Sequence, residues 1–269
     1  MKRDGLRYDA PSFDLFIDED TRVKLAKLGI ERHTLTADDI RQYINDYVQA
    51  AKNSIECGAD GIEIHAANSY LLNQFIDPNS NNRTDKYGGT IENRSRFILE
   101  VVDAIVAAIG AEKVDIRFSP FHSFGGMSPE DDPLIISQYT CLIGQLEKRA
   151  QDVKRLAYIH IYEPRDNIDV GELSEEVETF PIDFVYSVWK GIIIRTSNLP
   201  LLPNVTKTVL KANRTLLGYR RYFLSNPDLV DRLENGLPLN NYDRATMFTQ
   251  TKAGYIDYPT YDEALKMNW

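Results

Sequence analysis

The chain has 269 residues, 43% of them hydrophobic, and a formal net charge of −9. This negative charge repels nucleic acid and anionic membrane surfaces, so we predict neither as a partner. No apolar run approaches the ~18 residues that a membrane-spanning helix needs, and no signal-peptide core follows Met1. Cys57 and Cys141 have no metal-binding or redox spacing. We therefore predict a cytoplasmic protein with reduced thiols and no metal site.

The first predicted helix follows a segment without periodicity. Residues 1–34 are mostly polar, and we predict that they form an irregular surface excursion. Thr36 is a suitable N-cap for the helix, with two aspartates in the first turn. Apolar residues then recur at helical spacing and predict one buried face: Ile40, Tyr43, Ile44, Tyr47, Val48 and Ala51. Gly58 ends this helix, and a strand is predicted over 59–64.

Helices and strands alternate along the rest of the chain. The later predicted strands are 114–118, 156–161, 191–195 and 215–219. The predicted helices between and after them are 97–109, 135–150, 184–189, 205–211, 226–233 and 258–265. Five strands separated by helices are typical of parallel βαβ units. We therefore predict an α/β fold that forms one domain over residues 1–269.

Polar side chains that can bind a carbonyl oxygen follow the first strand of this series. His65 and Asn68 can each donate a hydrogen bond, and Tyr70 carries a phenolic proton. The carboxyl ends of parallel strands are where βα-barrel enzymes place their sites. On the residues alone, a histidine that is merely packed or exposed at a strand end remains an equal alternative.

This region resembles the old yellow enzyme family, the FMN-dependent ene-reductases, and is most similar to its yeast members. The resemblance is carried by four stretches, Gly61–Tyr70, Leu71–Pro78, Asn82–Gly89 and Ile91–Phe97, and it extends from about Lys2 to Trp269. It implies a (β/α)8 barrel whose first three βα units have no counterpart in this sequence. The five predicted strands agree with that count, so we expect an incomplete barrel of about five βα units.

The resemblance also implies how these residues act on an activated alkene. His65 and Asn68 are expected to bind the oxygen of an α,β-unsaturated carbonyl compound or of a phenolic ligand. Tyr70 is expected to protonate the carbon next to that carbonyl. FMN is the expected cofactor, bound non-covalently, and NADPH is the expected reductant. Arg117 is expected under the flavin pyrimidine, where a positive charge stabilises the reduced ring; on the residues alone, it could equally be a surface cation.

The flavin phosphate is expected at the loops after the last two strands. Family members carry glycines there, whereas this sequence has Ser197 and Arg220 at the corresponding positions. Asn198 follows in the first loop, and Arg221 matches the family's phosphate-binding arginine. An arginine at 220 adds bulk and loses the freedom to take a positive φ, although its charge favours a phosphate.

Three functional interpretations follow from the sequence. The first is an FMN- and NADPH-dependent ene-reductase impaired by the absent units. The second is a non-catalytic remnant, or a subunit that docks on an intact homologue, and the third is one part of a longer active protein. Open strand edges would favour homo- or hetero-oligomers. We expect the chain by itself to retain FMN poorly.

Overall fold

The structure is a computed structural model that describes residues 7–12, 19–30, 32–129, 131–152, 154–163, 182–196, 206, 209–247 and 249–267. The strands are β1 (Tyr8–Ala10), β2 (Arg32–Thr34), β3 (Ile62–Ala66), β4 (Val114–Phe118), β5 (Tyr158–Tyr162), β6 (Ile192–Thr196) and β7 (Thr215–Leu217). The α-helices are α1 (Glu19–Lys27), α2 (Ala37–Glu56), α3 (Leu71–Ile76), α4 (Ile91–Ile109), α5 (Leu134–Gln151), α6 (Asp183–Val188), α7 (Arg221–Ser225), α8 (Leu229–Asn235) and α9 (Tyr261–Met267).

The main sheet has five parallel strands in the order β3-β4-β5-β6-β7. Neighbours in the sheet are neighbours along the chain, which is the arrangement of a sector of a βα barrel. The prediction of five βα strands is therefore confirmed. The register places His65 beside Arg117 and Arg117 beside His160. One face of the sheet thus carries a row of basic side chains.

The apolar core lies between the other face of the sheet and the helices. Along β5, the fully buried Ile159 and Ile161 alternate with the partly exposed Tyr158, His160 and Tyr162. Burying each isoleucine contributes about 1.5–3 kcal/mol. Among the described residues, no helix combines the length and apolar character needed to cross a bilayer.

Helix α2 begins where the sequence predicts. The backbone N–H of Asp39 donates to Thr36 Oγ1 at 3.1 Å, and the Thr36 N–H donates to Asp39 Oδ2 at 2.8 Å. This reciprocal pair is a capping box, and it confirms the predicted N-cap. Hydrogen bonds from the Thr36 hydroxyl and from His33 lower the pKa of Asp39 well below its usual range. The helix ends before Gly58, whose φ of 94° suits glycine.

The prediction that residues 1–34 are irregular is wrong for the described part. Strands β1 and β2 pair in parallel, and α1 lies between them in sequence. The pair is tied to the main body because Tyr43 donates to Asp9 at 2.9 Å and Arg83 donates to the carbonyl oxygens of Pro11 and Leu35. Each strand has three residues, which is too short for periodicity to indicate it.

Other boundaries differ by a few residues. The strand predicted over 59–64 begins at Ile62, and the helix predicted from 97 begins at Ile91. Thr90 caps that helix by accepting a hydrogen bond from the Asn93 N–H at 3.3 Å. Residues 205, 207 and 208 of the predicted helix 205–211 lie outside the described residues, so this prediction is not decided over its full length.

Candidate active site

The turn after β3 has an uncommon backbone conformation. Asn68 and Ser69 have φ values of 56° and 63°, and they are the non-glycine residues with positive φ in the described part of the chain. This left-handed region is sparsely populated by side-chain-bearing residues. Tyr70 follows as the N-cap residue of α3. The turn at Asn68 and Ser69 therefore sets the direction in which the chain passes from β3 into α3.

The structure brings His65 and Tyr70 together. Their ring centroids are 5.0 Å apart with an angle of 60° between the ring planes. Tyr70 is 64% exposed, whereas His65 is half-buried. Burial lowers the pKa of His65, and the neighbouring Arg117 charge lowers it further. At neutral pH, the imidazole is therefore neutral and offers one N–H donor beside an accessible phenol.

The side-chain amide of Asn68 has an unfilled hydrogen-bonding position. Its Oδ1 is buried and has no hydrogen-bond partner among the described residues. A buried polar atom without a partner is destabilising, and this oxygen can only accept a hydrogen bond, so a carbonyl oxygen would have to be bound by the amide nitrogen of the same side chain. His65, Asn68 and Tyr70 thus form a short polar cluster at the end of β3.

Arg117, on the neighbouring strand β4, also has a buried side-chain atom without a hydrogen-bond partner among the described residues. Its guanidinium lies over the Tyr162 ring, 5.3 Å from the centroid, and its Nε is buried without a partner in the described part of the structure. Burial lowers the pKa of this guanidinium, which nevertheless stays charged. A half-buried cation whose Nε has no partner fits an electron-rich, planar acceptor such as a flavin ring.

The charges of four arginines act on Tyr162. Burial raises the pKa of its phenol, while the charges of Arg221, Arg117, Arg220 and Arg244 act in the opposite direction. This local positive charge contrasts with the net charge of −9 and fits a phosphate-bearing anion. Tyr162 and Arg244 were missed in the sequence because they belong to separate segments that only the fold brings together.

The expectation that position 220 needs a positive φ is wrong. Its φ is −117°, which any residue adopts, so an arginine fits here without strain. Glycine is needed two residues earlier, because a Cβ on Gly218 would lie 2.3 Å from Cγ2 of Thr196. Arg220 also lines an open groove of roughly 550 Å³, together with mainly aromatic and apolar residues: Tyr219, Phe223, Met247, Tyr255, Ile256 and Tyr258.

Arg221, which is also expected at the phosphate, contacts Tyr242. Arg221 Nη1 donates to the Tyr242 hydroxyl at 3.0 Å, and its guanidinium lies 5.3 Å from that ring. These contacts hold the guanidinium in one orientation. Ser197 and Asn198 lie outside the described residues.

A chain of polar side chains crosses the inner face of the sheet below Arg117. Glu63 Oε2 lies 2.8 Å from His160 Nδ1, and His160 Nε2 lies 2.9 Å from Thr196 Oγ1. Burial alone would raise the pKa of Glu63, but hydrogen bonds from His160 and Tyr158 outweigh it and lower that pKa. These residues were not predicted from the sequence, although polar residues alternating with buried ones along the strands could have indicated them.

A parallel βα sheet with His65, Asn68 and Tyr70 at the end of one strand and Arg117 on the next is the arrangement in which βα-barrel enzymes place their sites. The comparisons with known proteins agree. The chain belongs to the NADH:flavin oxidoreductase / NADH oxidase family, whose model matches residues 2–240. This match confirms the predicted family and its FMN cofactor.

Relatives and a solved structure support the same assignment. The chain is 52% identical to Enoate reductase 1 of Kluyveromyces lactis, over 98% of this chain and 67% of that protein. It is 38% identical to a probable NADPH dehydrogenase of Candida albicans, over 99% of this chain and 65% of that protein. The crystal structure of Old Yellow Enzyme from Pichia sp. superposes with a TM-score of 0.86 at 39% identity, covering 97% and 65% of the two chains.

The chain thus spans about two thirds of the length of these relatives. The structural similarity to a complete barrel, together with the five-stranded sheet, confirms the predicted fold class of an incomplete barrel.

Proposed function

We propose that this chain carries the catalytic sector of an FMN-dependent ene-reductase, which reduces the C=C bond of α,β-unsaturated carbonyl compounds with NADPH. The observation that carries the proposal is the pairing of His65 and Tyr70, 5.0 Å apart, next to Arg117 on the adjoining strand. The names of the relatives, an enoate reductase and a probable NADPH dehydrogenase, support this substrate class and reductant.

The basic residues of the site are suited to hold FMN. In this proposal, Arg117 contacts the flavin ring through its free Nε, and Arg220 and Arg221 bind the phosphate with Ser197 and Asn198. The chemistry that FMN supplies when bound is hydride transfer to the alkene β-carbon, after its reduction by NADPH. The positive charge of Arg117 favours the reduced, anionic form of the ring.

His65 and Asn68 act on the substrate carbonyl. As the β-carbon is reduced, negative charge develops on the carbonyl oxygen. In this proposal, the His65 N–H and the Asn68 amide nitrogen stabilise this charge, and the loss of one such donor typically costs a factor of about 10²–10³ in rate. The neutral state of His65 suits this role, because its N–H donates and no proton needs to be lost.

Tyr70 delivers the proton to the carbon next to the carbonyl. A phenol has an ordinary pKa of about 10 and is a weak acid at neutral pH. It can still protonate a strongly basic, carbanion-like carbon if it is held against it. The exposure of Tyr70 leaves its hydroxyl accessible to a substrate that enters from the open side.

A second candidate is a docking sector that needs a partner. In the described structure, no strand pairs with the outer edges of β3 and β7. Ile192 and Leu216 on the inner face are 38% and 54% exposed. Open edges and exposed apolar residues favour completion of the sheet by further strands. In this proposal, those strands come from a longer form of the chain, a second copy or a homologue.

One experiment tests the enzyme proposal. The purified chain is reconstituted with FMN, alone and together with the N-terminal third of Enoate reductase 1 that it does not cover. Consumption of NADPH with 2-cyclohexen-1-one is then followed without oxygen. We expect reduction of the alkene in the complemented sample. Its absence there, with FMN bound, would contradict the enzyme proposal and favour a docking role.

A further inference from the structure

Three buried polar side chains hold the turn that carries Asn68. The Asn68 N–H donates to Ser119 Oγ at 2.8 Å, and the Ser69 N–H donates to Asn73 Oδ1 at 2.9 Å. Gln74 Nε2 donates to the Ser69 carbonyl oxygen at 2.8 Å. Asn73, Ser119 and Gln74 are 2%, 3% and 8% exposed. Every backbone group in these contacts belongs to the two residues with positive φ.

Asn73 also connects the turn to the core. Its Nδ2 donates to the Tyr139 hydroxyl at 3.2 Å, and its Oδ1 lies 3.5 Å from Ser119 Oγ. Tyr139 is buried on α5. The Asn73 amide oxygen therefore accepts a hydrogen bond from the turn, while its nitrogen donates to Tyr139 in the core. This makes the orientation of Asn73 independent of any ligand.

The backbone conformation explains why such a support is needed. Two consecutive side-chain-bearing residues in the left-handed region are unfavourable unless their surroundings hold them there. If the turn relaxed to negative φ, the Asn68 side chain and the start of α3 at Tyr70 would change direction. We infer that Asn73, supported by Ser119, is a positioning residue that sets the placement of Asn68 and Tyr70 for carbonyl binding. This inference rests on the proposed function.

The first test needs no flavin. Amide hydrogen exchange of Asn68 and Ser69 is measured in the free protein for Asn73→Leu, Asn73→Asp and Tyr139→Phe. Asn73→Leu removes the acceptor of the Ser69 N–H, and we expect at least tenfold faster exchange in the turn. Asn73→Asp keeps an acceptor oxygen and should restore protection to within threefold. Tyr139→Phe removes a hydrogen bond of the same residue but leaves the turn contacts, so it is the matched control.

A compensating substitution tests the role of strain. Glycine adopts positive φ readily, so Ser69→Gly should reduce the dependence of the turn on Asn73. In the double variant with Asn73→Leu, we expect slower hydrogen exchange in the turn than in Asn73→Leu alone, because the turn then holds its conformation with less support. If Asn73→Leu does not fold, Ser119→Ala replaces it, because it removes the acceptor of the Asn68 N–H and otherwise only the 3.5 Å contact to Asn73 Oδ1.

The second test measures the site itself. The affinity for phenol is determined in the FMN-bound protein, complemented with the N-terminal third of Enoate reductase 1, where Asn73→Leu should weaken binding at least tenfold and Asn73→Asp or Tyr139→Phe less than threefold. Equal effects of Asn73→Leu and Tyr139→Phe on both exchange and affinity would overturn the inference, since loss of general stability would then explain them. Failure of the unaltered protein to bind phenol would contradict the proposed function, while the exchange measurement would still decide the positioning of the turn.

Discussion

The carboxylate of Glu63 on β3 and the imidazole of His160 on β5 lie 2.8 Å apart, and they meet across the strand that carries Arg117. A negative charge is thereby held near the half-buried Arg117 guanidinium, and it opposes the attraction of Arg117 for an anionic ligand. The same charge acts to raise the pKa of His65, against the effects of burial and of Arg117. Glu63 thus balances the positive charge of the site.

Glu63→Gln tests this balance. Glutamine keeps an acceptor for His160 but removes the charge, so we predict tighter binding of phenolate by on the order of 1 kcal/mol. The pKa of His65 should also fall further. Titration of phenol across pH measures both effects. A weaker phenolate affinity in this variant would show that Glu63 acts mainly through the geometry of His160.

Tyr70→Phe should separate the two half-reactions. We predict that alkene reduction slows by about 100-fold or more, as expected when a general acid is lost. Reduction of the bound flavin by NADPH should remain nearly normal, because the phenol has no part in it. Stopped-flow measurement of each half-reaction checks this, and an equal loss in both would exclude Tyr70 as the proton donor.

His65→Ala and Asn68→Ala should each weaken the binding of phenolic ligands. Loss of one charge-assisted hydrogen bond is expected to cost about 1.5–3 kcal/mol. The double variant should lose less than the sum of the two, because both donors meet the same oxygen. Titration of the charge-transfer band measures the affinities. Unchanged affinity in either single variant would remove that residue from the site.

Asp115 should make the stability of the fold depend on pH. It is 8% exposed and accepts from the Tyr158 N–H at 3.1 Å, and burial raises its pKa from 3.8 to about 6. Because the folded state binds this proton more tightly than the unfolded state, its stability falls as pH rises from about 4 to about 6.

Asp115→Asn keeps the acceptor and removes that penalty. We predict a gain of about 1–2 kcal/mol in the free energy of unfolding at neutral pH and little difference below about pH 4. Chemical denaturation at both pH values measures it, with the exposed Asp60→Asn as control. The same gain at both pH values would contradict a titration effect.

The sequence predicted the site best where its residues are close together in the chain. His65, Asn68 and Tyr70 lie on a single turn, so their proximity needs no knowledge of the fold. Tyr162 was missed because its contact with Arg117 depends on strand register, and Arg244 because its effect on Tyr162 depends on the path of later loops. The phosphate loops show a further limit, since the sign of φ at Arg220 could not be inferred from a glycine in related sequences.

FMN retention tests the central claim most directly. The claim is that this chain holds the basic and catalytic side of the flavin site but leaves the other side open. Flavin absorbance after gel filtration measures the ratio of FMN to protein. We predict a nearly colourless protein when the chain is purified alone, and a ratio approaching one when the N-terminal third of Enoate reductase 1 is supplied. Stoichiometric FMN on the chain alone would contradict the open site, and no FMN in either sample would contradict the flavin site itself.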